Sequence, residues 1–235
     1  MSEPNPINDL RDLPFLPHDS ALRDDVRRLG TLVGNMLAEQ QGEDFFRQIE
    51  AIRTAAIDRR EAGAGIHALA HMLVGQDADA AESLARAFAT YCQVVNTAER
   101  VHRIRRRRDY QVAGASAQPE SLADVLGTLK AQGVDADELM QWIERLDVEP
   151  VFTAHPTEAV RRSLLEKEQA IVRALVADFD PARPPRERDA DRQRMRTAIT
   201  TGWQTAEASR VRPSVQDEFE HVSFYIAEPL YQVLP

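Results

Sequence analysis

Apolar residues recur every three or four positions along most of the chain, and this spacing limits the fold more than any other feature. Leu22, Val26, Leu29, Val33, Met36 and Leu37 share one face of a helix that starts at Asp19 or Ser20, either of which can cap free N–H groups, and stops at Gly42. Phe46, Ile49, Ile52 and Ile57 mark a second helix ending near Gly63, and Leu69, Met72 and Leu73 a short one ending near Gly75. The longest helical stretch is 78–106, with Leu84, Phe88, Tyr91, Val95, Ala98 and Val101 inward, followed by a small, polar loop at 109–118. Two short helices follow, one on Leu122, Val125, Leu126 and Leu129 and one on Leu139, Ile143 and Leu146. Later helices begin after Pro156, with Val160, Leu164, Ile171 and Leu175 aligned, and cover 188–209 and 215–234, separated by a Pro-rich loop at 178–186.

The helical period breaks once, at Val148-Glu149-Pro150-Val151-Phe152-Thr153. That segment is short and β-branched with an internal proline, so it reads as a short strand within 148–154 at a sheet end. The fold class is therefore mostly α. Three regions emerge: a Pro- and Asp-rich arm at 1–18, a helical region at 19–146, and a strand, turn and helices at 147–235. The last residues, Leu230-Tyr231-Gln232-Val233-Leu234-Pro235, are apolar to the end, which reads as a cut rather than a natural terminus.

Composition narrows the functions. Hydrophobic residues are 43% and charged residues 29%, enough to bury a core, and aromatics are only 6%, which with the abundant alanine favours helices over strands. A net charge of −9 argues against nucleic acid as partner, because phosphate contacts need a basic surface. Cys92 is the single cysteine, so no intrachain disulfide forms. Neither a signal-peptide core nor a run of about 20 apolar residues occurs. No membrane partner is therefore expected, and the cytoplasm is the default compartment.

Residues 150–167, PVFTAHPTEAVRRSLLEK, carry the densest chemistry. His155 falls in a turn after the strand, Pro156 suits the first residue or lead-in of a helix, Thr157 can cap it, and Arg161 and Arg162 fall in or near its first turn. Two cations there oppose the helix dipole, so local stability does not explain them, whereas a bound anion would. The same positive field favours a neutral imidazole at His155, the form a general base must have near pH 7. The residue types fit equally well a His155 bonded to backbone beside two arginines in surface ion pairs.

The string VFTAHPTEAVRRSLLEK resembles the N-terminal active-site signature of phosphoenolpyruvate carboxylases of bacterial type. LRDDVRRLGTLVGNML at 22–37, ARAFATYCQVVNTAER at 85–100 and WQTAEASRVRPSVQDE at 203–218 are similar to the same family and stand in the same order, so the resemblance runs from about residue 20 to the end. It implies a helix-rich α/β barrel in which 148–154 is the first barrel strand. It implies formation of oxaloacetate and phosphate from phosphoenolpyruvate and bicarbonate, an anaplerotic carbon fixation. His155 would be the general base and Mg2+ or Mn2+ the cofactor, with metal ligands expected beyond residue 235. The substrates, the remainder of the enzyme chain and a homo-tetramer would be the partners, and the piece alone would be inactive. Arg161, Arg162 and Arg210 match anion- or effector-binding positions. Ala206 replaces an acid of the family pattern and Ser209 one arginine, which weakens the effector role there.

Other features are better read as structural. His67 and His71 are four apart, but a third metal ligand is not evident. The basic run from Arg103 to Arg108 reads as a solvated helix end. Trp142 and Trp203 are expected to pack between helices and Cys92 to lie in the core. The competing function is a helical phosphotransfer or protein-interaction module. Pro156 counts against it by placing His155 in a turn, because a phosphotransfer histidine usually sits exposed in mid-helix.

Overall fold

The computed structural model describes residues 19–114, 117–149, 161–206 and 214–227. Every regular element among them is helical. In chain order they are α1 (Ser20–Gln41), α2 (Glu43–Glu61), α3 (His67–Leu73), α4 (Ala78–Ala113), α5 (Leu122–Ala131), α6 (Ala136–Ile143), α7 (Arg162–Ala177), α8 (Pro185–Trp203) and α9 (Val215–Tyr225). The mostly-α reading is met. Of the expected strand, Val148 and Glu149 are irregular, and the rest lies outside the described residues.

The chain divides into two compact units, Met1–Arg103 with Ser163–Thr205, and Ile104–Arg162 with Ala206–Pro235. In the first unit, α1 packs against α2 and α8. The apolar stripe of α1 (Leu29, Val33, Met36, Leu37) meets Ile49 and Ile52 of α2, Leu84, Val94, Ala98 and Val101 of α4, Ile171 and Leu175 of α7, and Met195, Ile199 and Trp203 of α8 in one buried cluster. Full burial of each such side chain contributes about 1.5–3 kcal/mol. Close approach is enabled by Gly30, where a Cβ would stand 3.4 Å from the Tyr91 ring. Gly42, at φ +94°, turns the chain from α1 into α2, a backbone conformation that other residues adopt only with strain.

Polar side chains tie the ends of these helices together. Arg28 of α1 donates to Asp25 (3.2 Å) and to Asp178 after α7 (2.5 Å). Arg183 lies 3.6 Å from Asp178 and bonds the buried Asp191 of α8 at 2.5 Å. Arg194 also donates to Asp191, through Nε at 3.0 Å and through Nη2. The result is a continuous ionic chain from α1 through the α7–α8 turn into α8.

Several boundaries differ from the sequence expectations. Asp19 occupies the N-cap position of α1 without a side-chain cap bond. Its carboxylate instead stands 3.3 Å from Nε2 of the buried His102. α4 continues to Ala113, so the arginine run lies inside the helix and not at its end, and 109–113 are helical rather than loop. Arginine is a good helix former, and nothing in the run stops the ladder. Along α4, Val94 is buried in place of Val95, and Cys92, expected in the core, is exposed. α7 starts at Arg162, and Pro156 and Thr157 lie outside the described residues. α8 starts at Pro185, with proline at its first position where no N–H is needed. It ends at Trp203 rather than near 209. There Arg86 of α4 stacks on the Trp203 ring (4.7 Å) and donates to the carbonyls of Trp203 and Thr205, the latter at 3.1 Å, satisfying helix-end acceptors.

In the second unit, short helices begin on side-chain caps. Ser121 accepts from the Asp124 N–H before α5, and Asp135 from the Glu138 N–H before α6. Neither helix contains a buried residue, and Trp142, expected to be packed, is 44% exposed.

Two outcomes follow from the first unit. Leu175→Ala should lower unfolding free energy by about 2–5 kcal/mol in urea titrations, because a fully enclosed side chain leaves a cavity. Burial pushes the Asp191 carboxyl up, but the hydrogen bonds from Arg183 and Arg194 outweigh it and hold the group below the usual carboxylate range. A depressed folded-state pKa stabilises above the unfolded value of about 4 and is lost as pH falls through the folded value. Asp191→Asn should therefore lower the urea midpoint at pH 7, and its deficit against the parent chain should shrink as pH is taken from about 4 towards 2.

Candidate functional site

The candidate site is built on the start of α7. Arg161 precedes the helix, Arg162 is its first residue, and both are exposed. The first turn contains no acidic residue. Helix N–H groups carry partial positive charge there, so the two guanidinium groups gain nothing from the dipole, and the local field favours an anion.

Arg162 has a specific neighbour that its sequence surroundings do not disclose. Its Cζ stands 4.8 Å from the centroid of the Phe224 ring on α9. α9 is itself fixed at its start by a reciprocal cap. The Asp217 carboxylate accepts from the Ser214 N–H (2.8 Å) and hydroxyl (2.7 Å), while Ser214 Oγ accepts from the Asp217 N–H (3.3 Å). Those bonds, the side-chain one first, hold the Asp217 carboxyl below its ordinary range.

Further along α7, Glu168 accepts from Arg100 (2.5 Å) and from the buried Thr97 (3.2 Å), both on α4. Thr97 also donates to the Gln93 carbonyl at 2.9 Å, so its hydroxyl is fixed in place. This joint sets α7 against α4 within the first unit.

Of the residues singled out from sequence, Arg161 and Arg162 are adjacent at the α7 start, whereas His155 and Arg210 lie outside the described residues. Phe224 was missed: it follows Arg162 by 62 positions, and no motif spacing links them. His67 and His71 are exposed on α3, and among the described residues no group of three His, Cys, Asp or Glu side chains gathers as a metal site. A cavity of about 30 Å³ between α1, α2 and α4, lined by Val26, Gly30, Phe46, Ile49, Phe88 and Tyr91, has room for water but not for a metabolite. No described helix is long and apolar enough to cross a membrane.

The described residues thus define a helical protein whose α7 opens on paired cations. Its relatives give it a family. The family model described as phosphoenolpyruvate carboxylase matches residues 22–235. The protein named phosphoenolpyruvate carboxylase from Xanthomonas campestris pv. campestris (strain 8004) is 59% identical over 231 residues, covering 97% of this chain and 26% of the relative. One of the same name from Xanthomonas oryzae pv. oryzae (strain MAFF 311018) is 58% identical over 231 residues, with the same coverage. Another, from Pseudomonas aeruginosa, is 37% identical over 223 residues, 92% of this chain and 25% of the relative. The chain belongs to the phosphoenolpyruvate carboxylase family. It spans about a quarter of the length of these curated relatives.

Glu168→Ala should cost about 0.5–1.5 kcal/mol in urea titrations, because it removes the acceptor that ties Thr97 and Arg100 of α4 to α7, while the Thr97 hydroxyl keeps the Gln93 carbonyl. Arg100→Ala should cost less, since that side chain is 52% exposed and Thr97 keeps its acceptor.

Proposed function

We propose that the chain forms part of an enzyme that makes oxaloacetate and phosphate from phosphoenolpyruvate and bicarbonate. The observation that carries this reading is the family match across 22–235, which includes the whole VFTAHPTEAVRRSLLEK string. A bicarbonate oxygen attacks the phosphorus of phosphoenolpyruvate, and the bond from phosphorus to the enol oxygen breaks, leaving carboxyphosphate and the pyruvate enolate. His155 acts as general base and takes the carboxyl proton of carboxyphosphate, which separates into carbon dioxide and phosphate. The enolate carbon then attacks carbon dioxide. The proton held at His155 leaves with the phosphate.

Arg161, Arg162 and Arg210 bind an anion, either substrate-derived or an effector. Exposed guanidinium groups at a helix start support this for the first two, since planar N–H forks match carboxylate and phosphate oxygens. A divalent ion, Mg2+ or Mn2+, would supply charge stabilisation at the enolate oxygen. The described residues offer no three-ligand cluster for it, so none of them is assigned to the metal. The enzyme is a cytoplasmic homo-tetramer in this reading.

His155→Asn in the full-length protein should retain phosphate release from phosphoenolpyruvate while oxaloacetate output collapses, because carboxyphosphate still forms but loses its proton acceptor. Coupled assays for phosphate and oxaloacetate on one sample read both arms. Equal yields of the two products from the variant would remove His155 from the base role.

A further inference from the structure

We infer that the ends of α4 and α6 are the two halves of a contact between copies of this chain: Arg107 and Arg108 of one copy meet Glu144 and Asp147 of a second copy, and a two-fold axis repeats the contact. All four residues belong to the second unit. The inference rests on the homo-oligomer in the reading above and names a surface for it.

Ile104, Arg107, Arg108 and Val112 fall at helical spacing on α4 and so share one face. All four are exposed, the apolar Ile104 by 44% and Val112 by 78%. Arg106 is engaged with Tyr110, over its ring at 5.2 Å and with its hydroxyl at 3.2 Å. Arg107 and Arg108 make no ion pair or side-chain hydrogen bond among the described residues. The helix dipole does not explain them. Its effect is confined to the last turn, which contains no basic residue, and α4 runs on to Ala113. Arg103 and Arg107 are four apart and repel each other, so the run weakens the helix it stands on. A partner that brings carboxylates and apolar atoms together would satisfy this face. Nucleic acid is a poor fit to a chain of net charge −9 and to a face that ends in Ile104 and Val112.

The end of α6 carries the complement. Met140, Ile143 and Glu144 share a face by the same spacing, Asp147 follows, and all four are exposed. Glu144 is the C-cap residue, where the partial negative charge of the helix end disfavours a carboxylate, so local stability does not explain it. Neither the Glu144 nor the Asp147 side chain makes an ion pair or hydrogen bond among the described residues. Each half thus has two like charges beside two exposed apolar side chains, and the charges are of opposite sign. Within one copy the arginines and the carboxylates do not pair among the described residues. A second copy supplies both missing halves, and a two-fold axis uses each of them twice, because residue i meets j while j meets i. Contact of either half with its own twin would set like charges together, so α4 must face α6.

The test is a charge-swap cycle in the full-length protein, with subunit mass followed by sedimentation equilibrium. Arg107→Glu with Arg108→Glu should weaken self-association by roughly 10-fold or more, since attraction becomes repulsion at each repeat of the contact. Glu144→Arg with Asp147→Arg should do the same. All four substitutions together should restore most of the association, because the signs match again with their places exchanged. If either reversal leaves self-association unchanged, or the combined variant associates no better than the single reversals, the contact is wrong. A reversal that lowers the melting temperature without changing subunit mass would place the pairing inside one copy and equally overturn the proposal. A parent protein that sediments as a monomer would sink the homo-oligomer reading itself. Should a reversal variant not fold, Arg107→Gln with Arg108→Gln takes its place, and an unchanged dissociation constant for that pair overturns the contact.

Discussion

Leu29, Met36, Leu175 and Met195 come from three different helices and have almost no surface left in contact with solvent. Each lies on an amphipathic stripe that its own helix cannot bury, so the first unit depends on several stripes being covered at once. α1 is central to that requirement, since it packs against both α2 and α8 and brings eight buried residues. Gly30 and Gly34 are among them, and a side chain at Gly30 would press on the Tyr91 ring. Shortening one large core side chain therefore removes partners from several helices together.

Charge completes what apolar burial begins. The ionic chain from Asp25 through Arg28, Asp178, Arg183 and Asp191 to Arg194 fixes the turn between α7 and α8. Buried carboxylates such as Asp191 would be costly alone, and two guanidinium groups offset that cost. The same logic appears at Glu168, which answers the Thr97 hydroxyl and Arg100 together. These joints set α7, and the start of α7 carries the paired arginines.

Guanidinium groups also meet aromatic rings in this chain. Arg86 and Arg106 place a ring on the face and grip an oxygen acceptor through a nitrogen, and Arg162 has the ring of Phe224. The chain belongs to the phosphoenolpyruvate carboxylase family, and its α7 opens on Arg161 and Arg162.

The sequence by itself determined the helical class and most of the helix positions, because a 3.6-residue apolar period, glycines at 42, 63 and 75, and prolines at 184 and 185 act over a few neighbouring residues. It also determined the family, since identity along the chain needs no coordinates. Tertiary structure decided what depends on distant partners. It placed the Asp19 carboxylate at His102 instead of at a cap, buried Val94 in place of Val95, and turned Cys92 and Trp142 to the surface. It carried α4 through a run of like charges that had read as an end, and it brought Phe224 to Arg162 across 62 positions. Local periodicity tells which face of a helix is apolar, but which atoms that face meets is fixed only when the helices pack.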